Sequence, residues 1–188
     1  PAVGVVVCCG RSGVIYIQNA QFEQGLVATD YIETGATTAQ AGILEDLPRI
    51  DYTDGTPSLL MEPSRTNIMP QSEALDEYAE FKVTGSETTI SYTQSVTPEG
   101  LNTTTQIFLD TATTGSHRVY FDNISGVSIG SNYTFSIFVK SIGGRRVKMS
   151  DGGKGIEFNL KVDLSNGEIQ YDENDNGTVV SYGNGWYR

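Results

Sequence analysis

The feature that most constrains the fold is a succession of short segments in which apolar and polar residues alternate. The clearest is NYTFSIFVKS, where Tyr133, Phe135, Ile137 and Val139 fall on one side. A period of two predicts a strand with one buried face. Many such segments separated by Gly, Asn and Asp turns predict an all-β fold, an antiparallel β-sandwich. The predicted strands are 14–24, 80–84, 88–95, 104–110, 117–122, 132–141, 145–149, 156–162, 168–171 and 178–182.

Local signals refine this pattern at a few places. Asp54-Gly55 predicts a hairpin turn within residues 49–67, and Asn166-Gly167 predicts a second hairpin, because these pairs accept positive φ angles. In the strand 14–24, alternation puts Ile15, Ile17 and Asn19 on one face. Residues 72–80, SEALDEYAE, are the one predicted helix, with Ser72 as its cap.

Charge and composition exclude several functions. The 188 residues carry a net charge of −11, which disfavours binding to nucleic acid and to anionic lipid headgroups. No apolar run reaches the roughly 18 residues that span a bilayer, so membrane insertion is not expected. Cys8 and Cys9 are adjacent and the chain has one histidine, which gives neither a disulfide framework nor a zinc site.

The same residues give no basis for an enzyme. A Ser/His/Asp triad would have to use His117, and no nucleophile elbow accompanies it. The acidic residues cluster at turns, where backbone geometry favours them. The loop from Asp172 to Gly177 is similar to a calcium loop but lacks the glutamate at the twelfth position. A structural Ca²⁺ ion therefore stays open, its ligands are unknown, and no other cofactor is expected.

Three segments resemble a known family. PRIDYTDGTPSLLMEPSRTNIMPQSE (48–73), SHRVYFDNISGVSIGSNYTFSIFVKS (116–141) and SYGNGWYR (181–188) resemble the opening signature, the central strands and a later motif of domains common in phage tail-fibre and other virion-associated proteins. The resemblance implies a jelly-roll, concanavalin A-like domain of the carbohydrate-binding-module type. It also implies a structural protein on the virion surface that takes part in host attachment. Its partners would be other virion proteins or copies of itself in a homo-oligomer, together with a cell-surface glycan.

The order of the segments predicts an unusual domain organisation. Residues 14–35 resemble the final strand of the same domain type, which in that family follows the GNGWYR motif. We therefore expect residues 1–25 to be the closing strand or strands of a preceding or partner module and 26–47 to be a linker. Residues 48–188 would be a C-terminally incomplete domain. Two arrangements remain open, a portion of a longer tandem protein and a strand exchanged between chains, which would cover exposed sheet edges.

Candidate binding residues follow from the chemistry of sugars. An aromatic ring stacks on a sugar while neighbouring polar groups bind its hydroxyls. The aromatic candidates are Tyr78, Tyr92, Tyr120, Tyr182, Trp186 and Tyr187. Of these, Tyr92, Tyr120 and Trp186 are the predicted glycan-binding residues, although Tyr120 and Trp186 also suit the core. A second predicted cluster is structural, an ion-pair group that locks the opening hairpin. Its members are Arg49, Asp51, Glu62 and Arg65. The alternative functions are a bacterial secreted or cell-surface adhesin module and an accessory domain of a glycan-degrading enzyme.

Overall fold

The fold is known from a computed structural model of the 188-residue chain. The residues that it describes are 3–9, 13–24, 28, 30–41, 49–51, 56–60, 65–73, 81–84, 89–93, 97, 104–109, 117–128, 130–142, 146–150, 159–173 and 176–188. For some strand residues among them, only the backbone is described. All statements below concern these residues.

The described residues form strands and connecting segments and contain no helix, as the alternation predicts. The strands are β1 (Val3–Cys9), β2 (Gly13–Gln24), β3 (Ala39–Ala41), β4 (Arg49–Asp51), β5 (Ser58–Leu60), β6 (Arg65–Asn67), β7 (Phe81–Thr84), β8 (Thr89–Thr93), β9 (Thr104–Leu109), β10 (His117–Ile124), β11 (Tyr133–Ile142), β12 (Arg146–Ser150), β13 (Asn159–Asp163), β14 (Glu168–Asp172), β15 (Ser181–Gly183) and β16 (Trp186–Tyr187).

Most of these strands belong to two antiparallel sheets. Sheet A has six strands in the order β14-β13-β12-β1-β10-β7. Sheet B has eight, and its main path is β15-β16-β11-β2-β6-β3, with β9 also paired to β2 and β8 paired to β9. Strands β4 and β5 form a separate hairpin. The two N-terminal strands therefore lie inside the sheets, β1 between β12 and β10, and β2 between β11 and β9.

The core lies between the two sheets. Phe121 of β10 in sheet A meets Phe135 of β11 in sheet B, with ring centroids 6.2 Å apart. Burying such apolar side chains between two faces is the main force that holds a sandwich together. The architecture is thus an antiparallel β-sandwich, as predicted. Its buried apolar cluster is Val5, Val7, Ile15, Ile17, Ala20, Phe22, Met69, Phe121, Ile124, Ile137, Val139, Val147, Val162 and Leu164.

A β-bulge in β2 changes which residues face this core. Gln18 pairs with Phe138 and Gln21 pairs with Ser136, so two residues of β2 oppose the single residue Ile137. Asn19 takes up the irregularity with a φ of 51°, a left-handed value that asparagine tolerates better than most residues. Before the bulge, odd-numbered residues face the core, and after it even-numbered ones do. The predicted unbroken alternation of β2 is therefore wrong beyond Asn19.

Other expectations have mixed outcomes. The strand pairing of the two predicted hairpins is confirmed, since β4 pairs with β5 and β13 pairs with β14. The predicted turn at Asp54-Gly55 itself lies outside the described residues. The alternation of Tyr133, Phe135, Ile137 and Val139 is confirmed as well, because all four pack in or against the core. Strands β1, β3, β6 and β16 are not among the predicted strands, and β3 lies within the segment expected to be a linker. Most of the predicted helix, residues 74–80, lies outside the described residues.

The position of β2 bears on the predicted domain organisation. Its residues pair with Tyr133–Ile142 of the same chain over almost their whole length. In this arrangement β1 and β2 complete the sheets of their own chain. The division into residues 1–25, 26–47 and 48–188, with a neighbouring or partner module, stays a prediction because a single chain contains no such neighbour.

Candidate glycan-binding surface

The outer face of sheet B carries a patch of aromatic and basic side chains near its β15 edge. The rings of Phe138 on β11 and Tyr182 on β15 meet edge to face, with centroids 4.8 Å apart and an interplanar angle of 77°. The guanidinium of Arg188 lies 5.5 Å from the centre of the Phe138 ring, and its Nη2 donates a hydrogen bond to Oγ of Ser136 at 3.1 Å. Phe138, Tyr182 and Arg188 are called the aromatic patch below.

The local sequence explains how the patch is held. Gly183 pairs with Trp186, so Asn184 and Gly185 form a two-residue turn between β15 and β16. Both have positive φ, 51° and 79°, which is the conformation of the hairpin turn that Asn-Gly favours. Past β16, the backbone of Arg188 exchanges two hydrogen bonds with Val180, of 2.8 and 2.9 Å. The SYGNGWYR motif is therefore a hairpin that positions the patch.

The patch offers one ring to solvent. The side chain of Phe138 is buried beneath its neighbours, whereas Tyr182 is 47% exposed. The exposed ring of Tyr182 and the fixed guanidinium of Arg188 both contact the Phe138 ring. Together they supply a stacking surface and hydrogen-bond donors, the two kinds of group that sugar binding uses. No signal in the sequence distinguished Tyr182 from the other tyrosines, since its exposure depends on the edge position of β15.

Trp186, in contrast to Tyr182, is buried. Its side chain is 1% exposed, and the ammonium of Lys140 lies 5.9 Å from the centre of its ring. A ring that solvent does not reach has no face for a sugar. The geometry thus supports the packing role for Trp186 and gives its predicted glycan-binding role no support.

The other two predicted glycan-binding residues are not brought together. Tyr92 pairs with Thr105 in sheet B, and Tyr120 pairs with Val6 and Lys82 in sheet A. Only their backbones are described, so their binding role stays a prediction. Because Tyr92 belongs to sheet B and Tyr120 to sheet A, the two residues do not form one site with each other. Within sheet B, β9 and β2 separate the strand of Tyr92 from β11, which carries Phe138 of the aromatic patch.

None of the four side chains of the predicted hairpin cluster is among those described. Arg49 pairs with Leu60 and Asp51 pairs with Ser58 across the β4–β5 hairpin, while Arg65 begins β6. Glu62 lies outside the described residues. The ion-pair cluster of these four residues stays a prediction, although the hairpin that it was expected to lock is present.

The acidic loop after β14 is organised by its own backbone. The carboxylate of Asp172 accepts a hydrogen bond from the amide of Gly177, which closes the loop. Residues 174 and 175 are outside the described part. Among the described residues, no group of three or more His, Cys, Asp or Glu side chains is arranged to hold a metal ion. The structural Ca²⁺ ion stays a prediction.

A buried polar cluster, missed by the sequence analysis, covers the other end of the outer face of sheet B. At its centre is Asn67, whose Oδ1 accepts hydrogen bonds from the amides of Phe22 and Met69 at 3.1 and 3.0 Å. Its Nδ2 donates to the carbonyls of Ile32 and Ala20 at 2.8 and 3.5 Å. One fully buried amide therefore joins β2, β6 and the segment 30–34.

Three further buried side chains complete this cluster, which is called the polar clamp. Oε1 of Gln21 accepts a hydrogen bond from the amide of Ile32 at 2.7 Å. Thr34 donates from Oγ1 to the carbonyl of Met69 at 2.7 Å, and its amide donates to Oγ of Ser72 at 2.9 Å. Ser72 therefore fastens two loop segments. A dense run of amide side chains in a strand, as in QNAQFEQ, is the sequence signal that could have revealed a second covered face.

The β13–β14 turn is held by one carboxylate. Oδ1 of Asp163 accepts hydrogen bonds from the hydroxyl and the amide of Ser165, at 2.6 and 2.9 Å. Oδ2 lies 3.4 Å from Nε of Arg146. The hydroxyl and then the amide of Ser165 hold the pKa of Asp163 below its usual value, with Arg146 as a smaller cause that acts against desolvation.

This turn gives a prediction about pH. Because the pKa of Asp163 is lowered in the folded state, its contribution to stability is present above the ordinary carboxyl pKa and is lost as the pH falls through the folded value. We expect Asp163→Asn to be less stable than the wild type near neutral pH, with a gap that narrows in acid. Urea unfolding over a pH series measures the gap. Glu33→Gln, at an exposed loop position, is the control, and a gap independent of pH would contradict the assignment.

Comparisons with known proteins identify no relative of this chain. No family model, no curated protein and no solved structure matches the chain. Among the described residues there is also no helix with the length and apolar character that a membrane crossing needs. The function is therefore argued from the aromatic patch, the fold and the sequence motifs.

Proposed function

We propose that the chain is a non-catalytic structural protein of a phage-type virion, in a fibre-like appendage, whose β-sandwich binds a glycan on the host surface. The observation that carries the binding role is the exposed ring of Tyr182, which packs edge to face with Phe138, the ring that Arg188 also contacts. The virion role is supported by the three sequence segments that resemble virion-associated domains. A jelly-roll connection of the strands and a homo-oligomeric appendage belong to the same proposal.

In this proposal the sugar ring stacks on Tyr182 and its hydroxyls bind the guanidinium of Arg188. Phe138 and Ser136 hold these two groups in place, so little conformational entropy is lost on binding. A site with one exposed ring binds weakly. Several copies in one appendage would convert that weak affinity into useful avidity. Antibodies against the chain should label purified particles, and particles without labelling would contradict the virion role.

The binding role has a direct test. Tyr182→Ala is expected to weaken glycan binding about tenfold, because it removes a stacking surface worth about 1 kcal/mol or slightly more. Tyr182→Phe keeps the ring and should bind nearly as well as the wild type. Isothermal titration against a saccharide that the wild type binds measures both effects.

A matched control removes exposed apolar area from the same sheet. Ile142, at the end of β11, is 54% exposed and is not part of the aromatic patch. Ile142→Ala should leave the affinity unchanged. Equal affinities for Tyr182→Ala and the wild type would show that the aromatic patch is not the glycan site.

A further inference from the structure

Strand pairing aligns three basic residues of sheet A in a row at right angles to its strands. Lys161 of β13 pairs with Lys148 of β12, and Lys148 pairs with Cys8 of β1. Cys8 pairs in turn with Arg118 of β10. At the other end, Tyr171 of the edge strand β14 pairs with Lys161. The four positions Tyr171, Lys161, Lys148 and Arg118 are called the cationic row.

The two lysines of the row lie on the solvent side of the sheet. Val147 and Val162, the chain neighbours of Lys148 and Lys161, belong to the buried core. Successive side chains of a strand point to opposite faces, so the two lysines lie on the outer face. Adjacent strands are about 4.8 Å apart, which gives the row a length of about 19 Å from β14 to β10.

This placement of charge costs stability. Like charges directly opposite each other on neighbouring strands repel, and Lys148 and Lys161 are such a pair. The chain has a net charge of −11, so carboxylate side chains that could pair with these two lysines are plentiful in it. Within the part of the chain that the structure describes, no carboxylate lies within ion-pair distance of either lysine. The nearby Asp163 already binds Ser165 and Arg146. Among the described residues, the two ammonium groups therefore have no carboxylate partner and can accept an external anion.

We infer that the cationic row binds an acidic polysaccharide, a sugar polymer that carries carboxylate groups. The inference rests on the proposed glycan-binding function and adds a ligand class and a second surface to it. Lysine ammonium groups form charge-assisted hydrogen bonds with carboxylates. Tyr171 is 49% exposed and offers a ring for a sugar at the β14 end of the row. A straight row across five strands suits an extended chain.

The overall charge of the protein distinguishes this ligand from nucleic acid. Double-stranded DNA carries one negative charge per about 1.7 Å of its axis, and a protein of net charge −11 repels so dense a polyanion. A polymer with one carboxylate per sugar is less densely charged. Because the Debye length is about 8 Å at physiological ionic strength, such a polymer interacts mainly with the nearest charges, which belong to the row.

The test compares three ligands with the 188-residue chain. Polygalacturonate is the acidic probe, dextran the neutral one, and a DNA duplex the densely charged one. By isothermal titration, polygalacturonate should bind, and salt should weaken the binding. Lys148→Gln and Lys161→Gln should each weaken it about threefold and the double variant about tenfold, as expected for exposed charges. Lys140→Gln makes the same change of charge on sheet B and should have no effect.

Each possible result either supports or overturns binding of an acidic polysaccharide to the cationic row. A loss confined to the Lys148 and Lys161 variants supports the inference. Binding of polygalacturonate that is unchanged in the double variant overturns it, and so does DNA binding of equal strength at the same salt concentration. If the chain binds neutral saccharides through Tyr182 but does not bind polygalacturonate, the inference fails and the proposed function stands. If it binds no saccharide of any kind, both fail.

Discussion

Asn67→Ala is expected to lower the free energy of unfolding by about 4 kcal/mol. The side chain is 0% exposed, and its removal leaves the amides of Phe22 and Met69 and the carbonyl of Ile32 without their partner. A buried polar group that loses its partner costs about 1–3 kcal/mol. Urea unfolding followed by fluorescence measures the change.

Two further variants make this prediction specific. Asn166→Ala also removes an asparagine that makes hydrogen bonds, with Oδ1 accepting from the amide of Glu168 at 3.0 Å, but at an exposed turn. We expect a loss of about 0.5 kcal/mol or less there. Asn67→Asp keeps the acceptor for Phe22 and Met69 but brings a carboxylate against the carbonyl of Ile32, so it should be destabilised as well. Similar losses for Asn67→Ala and Asn166→Ala would contradict the role of the polar clamp.

Gly167→Ala is expected to cost about 2–4 kcal/mol, for two separate reasons. The φ of Gly167 is +75°, where a residue with a Cβ atom loses about 1–2 kcal/mol. A Cβ atom here would also lie 2.9 Å from Cδ1 of Tyr187 and would collide with its Cε1. Tyr187 packs against the core cluster, so its ring cannot move away freely. Overpacking of this kind typically costs about 1–3 kcal/mol.

A substitution at a second glycine distinguishes the cost of the backbone conformation from the cost of the close contact with Tyr187. Gly183 has a similar φ of +79°, and a Cβ atom there would meet nothing within 4 Å. Gly183→Ala should therefore show the backbone cost alone, about 1–2 kcal/mol. The difference between the two variants, measured by urea unfolding, is the cost of the close approach to Tyr187. Equal losses would show that the β13–β14 turn does not contact β16 as described.

Periodicity predicted the sandwich because most of its strands bury one face. The alternation in β11 identified Tyr133, Phe135, Ile137 and Val139, which lie in or against the core. Periodicity does not identify the buried face where the period breaks. Asn19 shifts the register of β2 by one residue through a bulge in its pairing with β11. The apolar residues accordingly change from odd positions, Ile15 and Ile17, to even positions, Ala20 and Phe22, so one unbroken period does not describe both halves of the strand. The continuous apolar run of β1 offers no period to interpret.

The candidate site was harder to predict than the fold. Alternation separates two faces of a strand but does not tell whether the outer one is covered. On the outer face of sheet B, the polar clamp covers one end and leaves Tyr182 exposed at the other, while Trp186 is buried between. The cationic row also depends on pairing, because Lys148 and Lys161 become neighbours only in the β12–β13 register. Neither arrangement follows from the spacing of residues in the chain.

The two surfaces have complementary properties. The aromatic patch at the β15 edge of sheet B has one exposed ring and a fixed guanidinium, which suits neutral sugar units. The cationic row on sheet A has two lysines without carboxylate partners among the described residues, which suits acidic ones. A glycan-binding appendage with both surfaces would hold a polymer of mixed composition more firmly than either surface alone.

Binding of the chain to a glycan array tests the central claim most directly. The 188-residue chain, displayed in several copies on one carrier to supply avidity, is applied to arrayed neutral and acidic saccharides. The account predicts binding to a defined set of saccharides, and Tyr182→Ala on the same carrier should lose the neutral ones. A folded wild-type chain that binds no saccharide on the array would contradict the glycan-binding role.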